Sequence, residues 1–288
     1  MNVVDLSYFQ AIVLGVVEGL TEFLPVSSTG HLTITEKLLG LPVDAPVVTA
    51  YTVIIQFGAI VATFLYFWRK IVRLFMAWVR GLTSAEARAH HDYQLAWAVI
   101  VGSIPVGLAG YFLRNLITGD LRSLWVVAAA LILWSIVMVI AERRHDVLDK
   151  RGVQRGEGQV TLLDGLIIGS VQCFSLIPGV SRSGATISAG LLRGIDRVTA
   201  TELSFYMAIP ALTAGGAFQA IEERSNLGQL GYGPMLVGLL VAFVVAYASI
   251  AWLLKFVANN SLMAFVWYRV TVGTILLILL GTGTMAAT

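Results

Sequence analysis

Long apolar stretches constrain this chain more than any other feature. Near residues 47–68, 95–113, 121–141, 203–221, 234–254 and 262–282 the sequence runs with few charges, at or near the ~20 residues an α-helix needs to cross ~30 Å of hydrocarbon. In a bilayer core every backbone N–H and C=O must be satisfied within the structure, so such runs become helices. The composition agrees, with 57% hydrophobic and 12% charged residues, where a soluble domain carries roughly 25% charged. The expected fold class is an all-α integral membrane protein with six full transmembrane helices. Two further apolar stretches, 9–24 and 162–177, are shorter and end at prolines. They read as arms of two re-entrant helical hairpins rather than as spans. The N-terminus lacks the basic region of a cleavable signal peptide, so none is expected. The single cysteine, Cys173, excludes an internal disulfide framework. Membrane lipid is the expected surround, with no nucleic-acid partner.

The two short stretches belong to copies of each other. Gly15–Gly40 slid by 154 residues onto Gly169–Gly194 gives seven identities in 26 positions without gaps, among them Gly15/Gly169, Ser27/Ser181 and Gly30/Gly184. Each copy has a proline, Pro25 or Pro178, followed by a hydroxyl-rich turn. Each half then holds one hairpin and three spans. Three is odd, so the second half should sit upside down, an inverted-topology repeat whose hairpins can meet at mid-bilayer depth. The expected organisation is a single membrane domain, 1–288, of two inverted repeats (about 1–145 and 160–288) joined by a basic cytoplasmic loop. The basic residues support that orientation. Thirteen fall on one side, in the loops 69–94 and 142–161 and at Arg193, Arg197 and Lys255, against four (Lys37, Arg114, Arg122, Arg224) on the other.

The hairpins carry the polar candidates. Glu18 and Glu22 are spaced i, i+4 and share a helix face. Pro25 then breaks the arm, and Ser27, Ser28, Thr29, Gly30 and His31 follow, with hydroxyls suited to capping a second short helix. In the other copy Pro178-Gly179 precedes Ser181, Arg182, Ser183 and Gly184, then a helix through Ala185–Leu192. Two helix N-termini facing one cavity suit an anion, above all a phosphate. Arg182 adds a guanidinium that forks onto phosphate oxygens. Two carboxylates beside such a site would repel the anion unless a divalent cation, Mg²⁺ or Ca²⁺, lies between them. The plainer readings are an interfacial helix with Glu18 and Glu22 on its wet face, serines bonded to their own helix, and a histidine that only ties helices together. Arg182 is different, because an arginine between two serines in an apolar surround is costly without a functional reason. Arg269, in WYRVTVG, is expected to snorkel or to pair with an acid. Small-residue faces such as Ala214–Ala217 read as helix packing and would accommodate a homodimer.

EGLTEFLPVSSTGH at Glu18–His31 and PGVSRSGAT at Pro178–Thr186 resemble the two signature motifs of the bacterial undecaprenyl-diphosphate phosphatase family, also called the bacitracin-resistance protein family. The span pattern and the distance between motifs resemble that family over essentially the whole chain. The resemblance implies an inner-membrane enzyme that removes the terminal phosphate of a polyprenyl diphosphate lipid, returning the monophosphate carrier to cell-wall synthesis and giving tolerance to bacitracin. It also implies dependence on Mg²⁺ or Ca²⁺ and a site facing the extracytoplasmic side. The family's first motif falls on Glu18, Glu22, Ser27, Ser28, Thr29 and His31, and its second on Ser181, Arg182, Ser183 and Thr186. Gln56, in VIIQFG, matches a further polar position of the pattern.

Phosphoryl transfer needs charge neutralisation and in-line positioning. The expected division of labour puts the metal on Glu18 and Glu22, the transferred phosphate on Arg182, and the anion cradle on Ser181, Ser183 and Thr186. Ser28 is the preferred nucleophile, with His31 as general acid or base. His31 as nucleophile and direct attack by metal-bound water remain open at this level. A transporter or flippase of a polyprenyl phosphate lipid is the alternative from another class, because inverted repeats and broken helices are also a transporter layout.

Overall fold

A computed structural model describes residues 6–43, 45–118, 121, 123–223 and 231–287. Arg122 and Arg224, two of the four basic residues expected on the outer side, lie outside them. Among the described residues the secondary structure is helical, apart from one isolated bridge between Arg155 and Ile195. Among the described residues five helices are long and apolar enough to cross a membrane: α3 (Pro46–Tyr66), α6 (His91–Phe112), α8 (Leu124–Lys150, after the short α7, Arg114–Thr118), α12 (Tyr232–Val257) and α13 (Met263–Gly281). The sixth expected run lies in α11 (Arg197–Glu222), which is long enough but less apolar than these five. Its first turns carry Thr199, Thr201, Glu202 and Ser204, and two of the four, Thr201 and Ser204, are fully buried. Ser204 is used by the site described below.

The short apolar arms form two helix pairs. The first is α1 (Tyr8–Thr21) and α2 (Ser28–Leu38). The second is α9 (Leu162–Gln172), a 3-10 turn over Cys173–Leu176, and α10 (Arg182–Leu192). The bounds of α2 and α10 differ by the same 154 residues that align the two sequence copies. Each arm packs along one long helix, α1 on α12 and α9 on α6. Small residues let the backbones touch: a Cβ placed on Gly169 would lie 1.8 Å from the Gly102 carbonyl oxygen, and one on Gly19 would lie 2.8 Å from that of Ala242. Close approach of this kind replaces the hydrophobic driving force that helices lack in lipid. Just past the first arm, Phe23 meets Phe205 of α11 edge-on with ring centres 5.5 Å apart, within the main apolar core.

Two segments read as loops are largely helical. Residues 69–94 hold α4 (Trp68–Thr83) and α5 (Ala85–Ala89), with Ser84 capping α5 through the Ala87 N–H. The segment 142–161 begins as the last turns of α8, which run to Lys150. Glu142 fixes that extension. It accepts two bonds from Arg197 at 3.1 and 2.7 Å and one from the Leu262 N–H at 2.7 Å. The remainder is stitched down rather than free. Buried Asp164 accepts from Arg155 at 2.7 and 2.9 Å and from Arg193 at 2.8 Å.

Candidate active site

The two helix-pair tips are built alike and locked together. Ser27 and Ser181 cap α2 and α10 with φ of 76° and 77°, and among the described residues they are the two non-glycine positions with positive φ. Such a conformation costs an L-residue about 1–3 kcal/mol and persists where surroundings over-determine it. Here they do. The Ser27 hydroxyl accepts from Gly30 N at 3.4 Å within its own tip and from Gly179 N at 3.1 Å across to the other. The Ser181 hydroxyl accepts from Gly184 N at 3.2 Å and pairs with the Ser183 hydroxyl at 3.1 Å. Ser183 in turn donates to the Leu24 carbonyl at 2.9 Å, back across the junction. Gly179, at φ 101°, has no room for a side chain, since a Cβ there would lie 2.5 Å from the Val127 carbonyl.

Arg269 completes the junction, and it neither snorkels nor pairs with an acid. It is 0% exposed, and its guanidinium donates to the Pro25 carbonyl at 3.1 Å, the Gly179 carbonyl at 2.9 Å, the Ala130 carbonyl at 3.4 Å and the Ser135 hydroxyl at 3.2 Å. Pro25 and Gly179 belong to opposite tips. Both chain breaks leave carbonyls without helix partners, and a five-donor fork satisfies them in one step. The expectation of an acid partner failed because the compensating groups are backbone dipoles, which residue types do not display.

At the centre lies Glu22, 6% exposed. Its Oε2 accepts from the Ser28 hydroxyl at 2.7 Å, and its Oε1 accepts from Arg182 at 3.3 Å. Arg182 also donates to the Glu22 carbonyl at 3.3 Å and the Ser204 carbonyl at 3.1 Å, and its guanidinium lies over the Phe23 ring, 5.7 Å from the centre. Thr186 Oγ1 bonds Ser204 Oγ at 2.7 Å, which ties α10 to α11. Nucleophile candidate, carboxylate and guanidinium thus form one continuous chain drawn from both sequence motifs.

His31 is held differently. Its Nδ1 lies 2.7 Å from the Ser27 carbonyl, and its Nε2 lies 2.7 Å from the Tyr268 hydroxyl. A carbonyl only accepts, so Nδ1 carries the hydrogen, and in the neutral ring Nε2 receives the tyrosine O–H. The two rings also stack, 5.5 Å between centres. The motif reading missed Tyr268, which lies 237 residues from its partner. Its one sequence signal is adjacency to Arg269.

Two of the expected residues stand apart. Thr29 is exposed and contributes its carbonyl to Thr33 within α2. Gln56 is half-buried on α3, and among the described residues no hydrogen bond joins it to the cluster.

The donor set suits a hard divalent cation. Glu18, one turn before Glu22, is 1% exposed, and its Oε1 has no hydrogen-bond partner. An unsatisfied carboxylate oxygen in an apolar interior is costly, and oxygen donors of this kind are what Mg²⁺ and Ca²⁺ take. Arg182 Nε is likewise buried and unpartnered, a donor left over for an anion.

Comparison with known proteins identifies the family. The family model described as Bacitracin resistance protein BacA matches residues 11–275. A protein of Cutibacterium acnes named undecaprenyl-diphosphatase is 50% identical over 280 residues, 94% of this chain and 96% of its own. Another of that name, from Acidothermus cellulolyticus, is 53% identical over 281 residues, 96% and 98% of the two chains. Undecaprenyl-diphosphatase 3 of Frankia casuarinae is 52% identical over 285 residues, 98% and 100% of the two. With a match of that extent and identities at this level, the chain belongs to the Bacitracin resistance protein BacA family.

Proposed function

We infer that the protein is a multi-pass membrane phosphatase that hydrolyses undecaprenyl diphosphate to undecaprenyl phosphate and inorganic phosphate. That activity returns the lipid carrier to wall synthesis and underlies bacitracin resistance. The observation that carries the mechanism is the bond from Ser28 Oγ to Glu22 Oε2 at 2.7 Å, with Arg182 on the other oxygen. A serine hydroxyl is a weak nucleophile until a base is aligned with its proton, and this carboxylate is so aligned.

In the first half-reaction Ser28 Oγ attacks the terminal phosphorus. The Oγ–P bond forms as the bridging P–O bond breaks, the lipid monophosphate leaves, and the serine proton passes to Glu22. Arg182 turns its spare Nε–H to the phosphoryl oxygens, where charge-assisted bonds are strongest. In the second half-reaction water attacks the phosphoserine phosphorus as the P–Oγ bond breaks, and His31 takes the water's proton. The proton on Glu22 returns to Ser28 Oγ, and inorganic phosphate leaves with the proton that His31 gives back. Ser181, Ser183 and Thr186 hold the tip that presents Arg182. Glu18 and Glu22 would hold Mg²⁺ or Ca²⁺, which when bound neutralises the diphosphate oxygens.

Around this site we place six spans, α11 being the sixth, with both helix pairs as re-entrant hairpins and the two halves, about 1–145 and 160–288, inverted. Support comes from the matched bounds of α2 and α10, the paired positive-φ serines, and the reciprocal packing of α1 on α12 and α9 on α6. The membrane is the bacterial inner membrane and the cavity opens to the extracytoplasmic side. Single cysteines at Arg114 and Arg80, in a Cys173→Ser background, test the orientation. A membrane-impermeant maleimide should label the first and spare the second in intact cells, and the reverse pattern contradicts it. For the chemistry, purified protein with divalent metal should release phosphate from undecaprenyl diphosphate. Arg182→Lys should lower kcat at least tenfold, because a point charge cannot replace the fork; near-normal turnover would remove Arg182 from the transition state.

A further inference from the structure

Among the described helices α4 sets a basic stripe beside an exposed apolar one, and the mechanism makes no use of it. At about 100° per residue, Arg69, Arg73 and Arg80 fall within an arc of about 40° on its surface. Trp68, Val72, Phe75, Met76, Val79 and Leu82 fill the adjoining arc, and all six are exposed. The remaining side is the packed one, with Leu74 and Gly81 buried and the Tyr93 ring of α6 lying against Gly81. Among the described residues no carboxylate lies within ion-pair reach of Arg69 or Arg80. Arg73 is half-exposed, with Asp92 at 3.3 Å and Glu157 at 3.6 Å. Arg88 closes the C-terminal end by donating to the carbonyls of Gly81 and Leu82 at 2.7 and 3.2 Å. A hollow beside this end is lined by Arg73, Met76, Arg80, Glu86, His90 and Asp92 among others, so guanidinium groups, carboxylates and an apolar side chain border it together.

We propose that α4 is an interfacial helix that recognises anionic phospholipid, its apolar face in the acyl region and Arg69, Arg73 and Arg80 on headgroup phosphates. Its 16 residues are too few to span a bilayer, and an exposed apolar face beside a basic stripe is what the headgroup boundary accommodates. The charge pattern selects the lipid. Three arginines, two of them without acidic partners, meet an anionic leaflet favourably and a zwitterionic one indifferently. The role is independent of the catalytic chemistry, since no α4 side chain bonds the Glu22 cluster.

The test is lipid competition on the intact, detergent-purified protein, with retained phosphatidylglycerol and phosphatidylcholine counted by native mass spectrometry. Wild type should retain phosphatidylglycerol preferentially, and Arg69→Gln/Arg80→Gln should lower that preference by about fivefold per arginine removed. Arg143→Gln/Arg151→Gln, which removes exposed charge elsewhere, should leave it unchanged. Equal retention of both lipids by wild type, or an equal loss in the two double variants, overturns the proposal. A second occupant is tested with Phe75→Cys in a Cys173→Ser background. Efficient disulfide-linked dimers in native membranes would mean that this face binds another copy of the chain, and would also overturn it.

Discussion

Ser28 and Glu22 share a 2.7 Å hydrogen bond across the break between α1 and α2, and Arg182 from the second motif binds the carboxylate's other oxygen. Glu22 therefore serves two partners, so losing Ser28 and losing Glu22 itself have different signatures. Ser28→Ala should abolish turnover, by about 10³-fold or more, while leaving thermal stability nearly unchanged. Glu22→Gln should lower kcat by about 10²–10⁴-fold and also destabilise the protein, because a buried arginine loses its counter-charge. Phosphate release and thermal unfolding in detergent, measured on both variants, separate the two effects.

Arg269 holds both tips through neutral oxygens, so its charge alone is not what matters. Arg269→Lys keeps the charge but cannot reach the carbonyls of Pro25, Gly179 and Ala130 together. Each buried carbonyl left unpaired costs about 1–3 kcal/mol. We expect lower thermal stability and at least a tenfold drop in kcat/KM, measured in the same preparation. Wild-type stability in the lysine variant would show that the clamp is unimportant.

Tyr268 fixes the ring of His31 without touching Ser28. Tyr268→Phe keeps the stacked ring and deletes the O–H that Nε2 receives. About a tenfold loss in kcat is expected with KM little altered, together with a shifted pH–rate profile. A profile superimposable on wild type would make Tyr268 a packing residue only.

Glu18 supplies the unsatisfied oxygen that a cation would take. Chelation should abolish phosphate release, and added Mg²⁺ or Ca²⁺ should restore it. Glu18→Gln should raise the metal concentration needed for half-maximal activity by at least tenfold while leaving the Ser28–Glu22 pair in place. Unchanged activity in excess chelator contradicts the metal assignment.

Much of this was legible in the residues. The 154-residue repeat located both tips, and serine as N-cap set the starts of α2 and α10. Glu22 and Arg182 stood out because charges in apolar stretches need a reason, whereas Ser28 was singled out among its neighbouring hydroxyls only with the family resemblance. What was not legible depends on partners far along the chain. Arg269 satisfies backbone carbonyls, and His31 meets a tyrosine from the last helix. The basic segment after α3 read as loop because its charges were counted for orientation. Their placement in one stripe beside an apolar one is a helical signal that the count discards. The charged end of α8 was cut short for the same reason, since Glu142 is compensated by Arg197 and a helix N-terminus rather than by water.

If Glu22 activates Ser28 in the way proposed, the serine carries the phosphoryl group between the two half-reactions. Undecaprenyl diphosphate labelled in its terminal phosphate, mixed with enzyme and acid-quenched within one turnover, tests this directly. The label should be found covalently on Ser28 by peptide mass spectrometry, disappear as phosphate is released, and be missing in Ser28→Ala. Release of labelled phosphate at the full rate with no labelled peptide, or substantial turnover by Ser28→Ala, would contradict it.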